Sequence, residues 1–265
     1  MMVWLEVALA SVVGYLLGSI SFSALSVKLF ASEEQKAKIA HPAAQVEGQE
    51  AEPMYGAFTA NRIWGAKAGF TISLLDMLKV ALPMWIFKVL LYPGEYYYLV
   101  VSIAGVFGHN WPVFFRFKGG RGASATLASF FVIDWLGPIG VMVLGAVLGL
   151  MVIRDAGLTY LSFTVLMFPW LWFRTFDPVL LLWVIGVDIA LYASIVPDIR
   201  AVRTIEGEQG KEVADASLDD LTPGTRGMRR VTDRINALGG AKYGVALLGI
   251  IILAVAFWYL PLLPF

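Results

Sequence analysis

The chain contains no cysteine and only two histidines, His41 and His109. Disulfides, thiol catalysis and thiolate metal sites are therefore excluded, and a histidine-rich metal site has too few ligands to form. Net charge is also missing, because 20 Lys and Arg residues balance 20 Asp and Glu. Global charge thus indicates no nucleic-acid partner, and any anion binding has to come from local clusters of basic residues. No internal repeat is visible, so the inverted-repeat signature of many transporters has no support. Nothing in the composition calls for a cofactor or a metal.

Apolar surface is what the sequence has in excess. Hydrophobic residues make up 58% of the 265 positions and mean hydropathy is +0.73, values that belong to integral membrane proteins. Runs long enough to cross a bilayer fall at roughly 3–25, 69–92, 95–115, 122–138, 138–153, 157–174, 178–197 and 241–262. The expected fold is an all-α polytopic bundle of seven to eight spans. The least secure boundary is Gly137-Pro138, where one long apolar stretch from Gly122 to Ile153 has to fold back. The opening segment MMVWLEVALASVVGYLLGSISF carries Glu6 where a secretory signal would be positive, and it lacks a clear small-residue cleavage site. It reads as a retained span.

Basic and non-basic loops alternate along the chain. Lys28 to Lys67, then Arg116, Lys118 and Arg121, then Arg154, then Arg200 to Arg234 mark inner turns, whereas Pro93-Gly94-Glu95 and Asp134 mark outer ones. By the positive-inside rule the amino terminus lies outside, and an eighth span would bring the carboxyl terminus outside as well. Arg174, opposed by Asp177 on an outer turn, is the exception. Residues 31–55 read as a polar insertion into a bundle that occupies residues 1–205. Residues 206–240 read as a cytoplasmic polar linker without a core-forming pattern, and residues 241–265 as an additional transmembrane helix. Met228 to Leu238 reads as a solvated helix, with a membrane-surface helix as the alternative.

The stretch GHNWPVFFRFKGGRG, Gly108 to Gly122, interrupts this apolar background with a histidine, basic residues and glycines. Glycines allow backbone amides to approach a phosphate, and arginine offers a planar fork for two phosphate oxygens. The other reading is that the basic residues merely hold the inner side of the membrane. Both stand for each residue taken separately; for Arg62 and Arg121, which lie near glycines, phosphate binding is favoured. Within the spans Asp76, Lys79 and Asp188 are charges that lipid does not tolerate alone. Asp76 and Lys79 are spaced to pair on one helix face, which leaves a structural and a substrate role equally open. Asp188 requires a partner on another helix or a cavity. Ser19 and Ser21, beside Gly18, suit close helix packing.

Three blocks in order give the chain a resemblance to the bacterial acyl-phosphate:glycerol-3-phosphate acyltransferases, membrane enzymes that start phospholipid synthesis. GYLLGSISF resembles their first-span motif, GAKAGFTISLLDMLK their GKKAG and LLD-LK segment, and GHNWPVFFRFKGGRG their GH-PVF-FKGGKG motif. The similarity is good over residues 8–30 and 56–135, continues only in hydrophobic outline to about 205, and has no counterpart beyond. The chain also departs from the pattern. Glu52 to Thr59 replaces a Ser-Gly-Asn, Gly-Ala-Thr-Asn phosphate motif, although the following arginine is kept as Arg62. Arg121 stands in place of a lysine, and Ile195 to Ile199 lacks a histidine, with Asp198 where the family has asparagine.

The resemblance implies transfer of a fatty acyl group from acyl phosphate to glycerol 3-phosphate, giving lysophosphatidic acid in the plasma membrane of a bacterium. The partners would be those two substrates and membrane lipid. It implies catalytic positions at His109 and Ser19, and phosphate binding by Arg62, Lys118, Gly119, Gly120, Arg121 and Gly122. Asp76, Lys79 and Asp198 would be supporting residues. The alternatives are a non-catalytic relative that binds or moves a phospholipid or another phosphorylated molecule, and a transporter.

Overall fold

A computed structural model of the chain describes residues 2–37, 55–221 and 225–263. His41, Glu52, Pro53 and Met54 lie outside the described residues. All regular structure among the described residues is helical, and the chain separates into two compact units, Met1–Ile133 with Gly186–Ser217 and Asp134–Ile185 with Leu218–Phe265. In chain order the helices are α1 (Met2–Gly18), α2 (Phe22–Phe30), α3 (Glu33–Ala37), α4 (Ala57–Trp64), α5 (Ala66–Ile86), α6 (Tyr97–Asn110) and α7 (Ala123–Ile133). They continue with α8 (Gly137–Ala146), α9 (Ala156–Thr175), α10 (Pro178–Gln209), α11 (Lys211–Leu221), α12 (Thr225–Asn236) and α13 (Ala241–Tyr259). Wide π turns extend α5 over Phe87–Leu91 and α8 over Val147–Ile153.

Five stretches are long and apolar enough to cross a membrane: Val3–Phe30, Tyr97–Phe115, Ala156–Thr175, Pro178–Gln209 and Ala241–Leu262. The protein is a helical, multi-pass membrane protein. α5 is long enough at 21 residues but carries Lys67, Asp76 and Lys79, which lower its apolar character. The apolar region 122–153 forms two shorter helices, Ala123–Ile133 and Gly137–Ile153. The first rises about 16 Å at 1.5 Å per residue, against a hydrocarbon core of about 30 Å. Asp134 ends it, and Gly137-Pro138 opens the next helix, where the missing proline N–H would be unpaired in any case.

In the first unit α1 lies directly on α6. A Cβ on Gly14 would overlap the Val101 carbonyl, one on Gly18 the Gly105 carbonyl, and one on Gly108 the Tyr15 carbonyl, so the two backbones touch. Small residues permit this approach, and dispersion contacts between backbones then hold the pair where lipid supplies no hydrophobic drive. The first apolar run is not one helix. Ser21 caps α2 by accepting a hydrogen bond from the Ala24 amide at 3.2 Å, which breaks the helix over Ser19 and Ile20.

The second unit has a buried ionic core. Arg174 Nε lies 2.8 Å from Asp134 Oδ2, both side chains almost fully enclosed, and Trp170 Nε1 donates to the same oxygen at 2.8 Å. Arg174 Nη1 also donates to the Leu263 carbonyl at 3.0 Å. A charge enclosed and neutralised in this way is a structural ion pair and not a solvated loop charge. α13 packs on the π turn of α8, with Gly249 against Met151 and Val152. Most of its surface, including Leu247, Ile250 and Ile251, is exposed and apolar, as suits contact with lipid.

Residues 206–240 are mostly helical where described. α10 continues to Gln209, α11 and α12 follow, and Ile205 and Ala214 form a small buried cluster with Val202 packed on it. Two apolar residues, Ile205 at the end of α10 and Ala214 on α11, thereby pin the two helices together.

Candidate active site

The helix break in the first span creates an acceptor. Because Ile20 lies between two helices, its carbonyl has no intrahelical donor, and Lys79 Nζ from α5 donates to it at 2.7 Å. Lys79 also pairs with Asp76 Oδ1 at 2.9 Å, one turn away on α5, as the i,i+3 spacing predicts. Both side chains are almost wholly enclosed. Asp76 Oδ1 in turn faces His109 Nδ1 at 3.7 Å, so α5 and the end of α6 meet through Lys79, Asp76 and His109.

His109 is the platform for the glycine loop. The Gly120 amide donates to the His109 carbonyl at 3.1 Å, and a Cβ on Gly120 would overlap Nε2 of the ring. A Cβ on Gly119 would overlap the His109 carbonyl and come within 2.5 Å of Pro112. Gly122 has φ +77°, a left-handed conformation that glycine adopts without strain, and it abuts the Asn110 side chain. Glycine is thus required three times for different reasons: two close approaches and one dihedral angle. The loop then enters α7, whose first amides point back along it.

α10 clips the loop through three successive turns. Asn110 Nδ2 donates to the Ala190 carbonyl at 2.7 Å, Ser194 Oγ donates to the Arg121 carbonyl at 3.1 Å, and Asp198 receives the Arg121 side chain. That last contact is two-pronged: Arg121 Nε donates to Oδ2 and Nη2 to Oδ1, each at 2.6 Å. Residues 190, 194 and 198 share a helix face because they are one turn apart. Ser19 approaches from the other side. Its hydroxyl donates to the Tyr15 carbonyl at 2.7 Å and receives the Val113 amide at 3.4 Å, while Tyr15 OH donates to the Trp111 carbonyl at 2.9 Å.

Ser19, Asp76, Lys79, His109, Gly119, Gly120, Arg121, Gly122 and Asp198 thus form one connected group within the first unit. Lys118, next to the loop in sequence, and Arg62 are exposed. α4 starts beside the loop, where a Cβ on Gly56 would lie 3.9 Å from Gly120 Cα, and Arg62 sits in the last turn of that helix. Asn110, Ser194 and Tyr15 were missed as site residues. Asn110 lies inside the GHNWP motif, and Ser194 lies one turn before Asp198, so only their contacts set them apart. Asp188 has an enclosed Oδ1 without a hydrogen-bond partner among the described residues. Among the described residues no three His, Asp or Glu side chains converge to hold a metal ion.

Beside this group α1 and α6 leave an open apolar groove of about 470 Å³, lined by Ser11, Tyr15, Val100, Ile103, Ala104 and Phe107. Tyr15 and Phe107 bring it to within one turn of Ser19 and His109.

Residues 8–201 match the family model described as glycerol-3-phosphate acyltransferase. The chain belongs to this family. A glycerol-3-phosphate acyltransferase of Proteus mirabilis is 35% identical over 121 residues, 46% of this chain and 50% of its own length. One from Mycoplasma mycoides subsp. mycoides is 33% identical over 140 residues, 51% of this chain and 50% of its own. The chain spans about half the length of the curated relatives it matches. Two crystal structures of PlsY, an integral membrane glycerol 3-phosphate acyltransferase, have a similar fold. Its lysophosphatidic acid form matches with TM-score 0.60 at 23% identity, and its glycerol 3-phosphate form with 0.57 at 24%, each over 75% of this chain and 92% of PlsY.

Proposed function

We propose that this family member is an acyl-phosphate:glycerol-3-phosphate acyltransferase, which makes lysophosphatidic acid in the cytoplasmic membrane of a bacterium. The observation that carries the reading is the glycine loop folded on His109, with Arg121 at its end and the start of α7 behind it. A helix amino terminus with close-approaching glycines and an arginine is suited to a phosphate. Family membership and the relatives' names support the same substrates.

In this reaction the ester bond forms between the glycerol hydroxyl oxygen and the acyl carbon, while the bond from that carbon to the phosphate oxygen breaks. The hydroxyl proton goes to the departing phosphate, so a protein base is not required. The protein has to hold two phosphates close together and aim the hydroxyl. We assign phosphate binding to Arg62, Lys118, Arg121 and the amides of Gly119, Arg121 and Gly122; the Gly120 amide is already bonded to His109. His109 positions the loop, Asp76 and Lys79 fix His109, and Ser19 lines the site where α1 meets Val113. The acyl chain lies in the groove between α1 and α6, whose apolar lining suits it.

The loop charges support an amino terminus outside and seven to eight membrane passes, with α5 and the short helices α7 and α8 together making up those beyond the five long stretches. The family match ends at residue 201, which supports an acyltransferase-like bundle over residues 1–205, a cytoplasmic linker over 206–240 and an added membrane helix over 241–265.

The test is purified protein with radiolabelled glycerol 3-phosphate and palmitoyl phosphate, with palmitoyl-CoA as the control donor. Labelled lysophosphatidic acid is expected from palmitoyl phosphate. Arg121→Ala is expected to suppress it far more than Lys36→Ala, and equal effects would refute this placement of the site.

A further inference from the structure

The Arg121 guanidinium already holds an anion of the protein's own. Both carboxylate oxygens of Asp198 are engaged at 2.6 Å, by Nε and Nη2, the edge of the guanidinium that also fits two oxygens of a phosphate. The arginine side chain is about one-third exposed and the aspartate about one-tenth, so the pair sits at the mouth of the site with its carboxylate enclosed.

The carboxylate is not needed to place the loop. The Arg121 carbonyl is held by Ser194 and the preceding amide by the His109 carbonyl, two hydrogen bonds that do not involve Asp198, and Gly122 packs against the Asn110 side chain. What Asp198 changes is charge. It neutralises the one guanidinium in the connected group, and it would lie beside any phosphate that reached the loop. Resting on the phosphate-site reading above, we infer that Asp198 is an internal competitor that weakens phosphate binding at Arg121 and thereby sets the affinity for phosphorylated substrate. A dianionic phosphate has to displace the carboxylate or share the guanidinium with it. The same competition eases departure of inorganic phosphate after each turnover.

A positioning role predicts the opposite sign, because losing a strut would loosen Arg121 and weaken binding. The full-length chain in detergent, titrated calorimetrically with glycerol 3-phosphate, separates the two. Asp198→Asn keeps the shape and removes the charge, and is expected to tighten Kd by about 3- to 10-fold, the scale of a partly exposed ion pair. KM for glycerol 3-phosphate should fall in proportion, with inhibition by inorganic phosphate strengthened alike. In an Arg121→Ala background the same substitution should shift Kd by a smaller factor, because only the direct repulsion between carboxylate and phosphate is then left to relieve. Unchanged or weaker binding by Asp198→Asn, in a protein that still turns over, overturns the competitor while leaving the acyltransferase reading intact. Tighter binding without turnover in either protein upholds the competitor and removes the acyltransferase reading. Absence of glycerol 3-phosphate binding by both proteins overturns both.

Discussion

Gly120 lies on the face of His109 so closely that one added methyl group would overlap Nε2 of the ring. The contact makes the loop and the histidine a single rigid part. Gly120→Ala is therefore expected to lower stability by about 1–3 kcal/mol, the usual cost of forcing extra volume into a packed site. Activity should fall further, by about 100-fold, because small displacements of positioning groups are costly in rate. Gly207→Ala, on an open surface of α10, is the control and should change neither. Melting temperature and initial rate, measured together, check this.

Asp76 and Lys79 form an enclosed ion pair, and removing one member strands the other charge. Asp76→Asn or Lys79→Met alone should cost about 3–5 kcal/mol, whereas the double substitution should cost clearly less than the sum. A thermal or denaturant double-mutant cycle in detergent measures the coupling. Strict additivity would mean that Ile20 and His109, not the pair, carry the energy.

The seam between α1 and α6 has no room for side chains. Gly18→Val should displace α1 from α6 and lower the melting temperature, and it should reduce activity through Ser19, the next residue. Gly244→Val on α13, which has open space around it, should do neither. Equal losses at the two positions would argue against the seam as the determinant.

Because the chain has no cysteine, single introduced cysteines report topology without background. Glu95→Cys and Phe265→Cys should react with a membrane-impermeant maleimide in intact cells, and Gly207→Cys only after permeabilisation. The reverse pattern would invert the proposed orientation.

Much of the site is contiguous in sequence and was legible there: His109, the three glycines and Arg121 fall within fifteen residues, and the Asp76–Lys79 pair follows from helical spacing. The contacts that close the site were not legible, because each depends on tertiary placement. Lys79 finds Ile20 only because Ser21 stops a helix, and hydropathy cannot see a break inside an apolar run. Ser194 becomes a site residue only through α10, 73 positions along the chain from Arg121; Asn110 is tied to Ala190 on the same helix, 80 positions away, and the pairing of Asp198 with Arg121 spans 77. For the fold, apolar length identified the membrane helices, but the region 122–153 has enough apolar residues for two spans and folds into helices shorter than its hydropathy suggests. Arg174 pairs with Asp134, 40 positions earlier in the chain, a partner that a count of loop charges does not see.

The first helix is anchored along one side. Val3, Leu5, Leu9, Val12 and Leu16 face outward and are exposed, while Gly14 and Gly18 lie on α6. A helix seated this way in lipid adjusts its tilt to the thickness of the hydrocarbon layer. Its last turn ends one hydrogen bond from Val113, through the Ser19 hydroxyl. The seat of α1 on α6 thereby sets where the Ser19 hydroxyl meets the start of the loop, so any shift of that helix reaches Val113 through a single hydrogen bond.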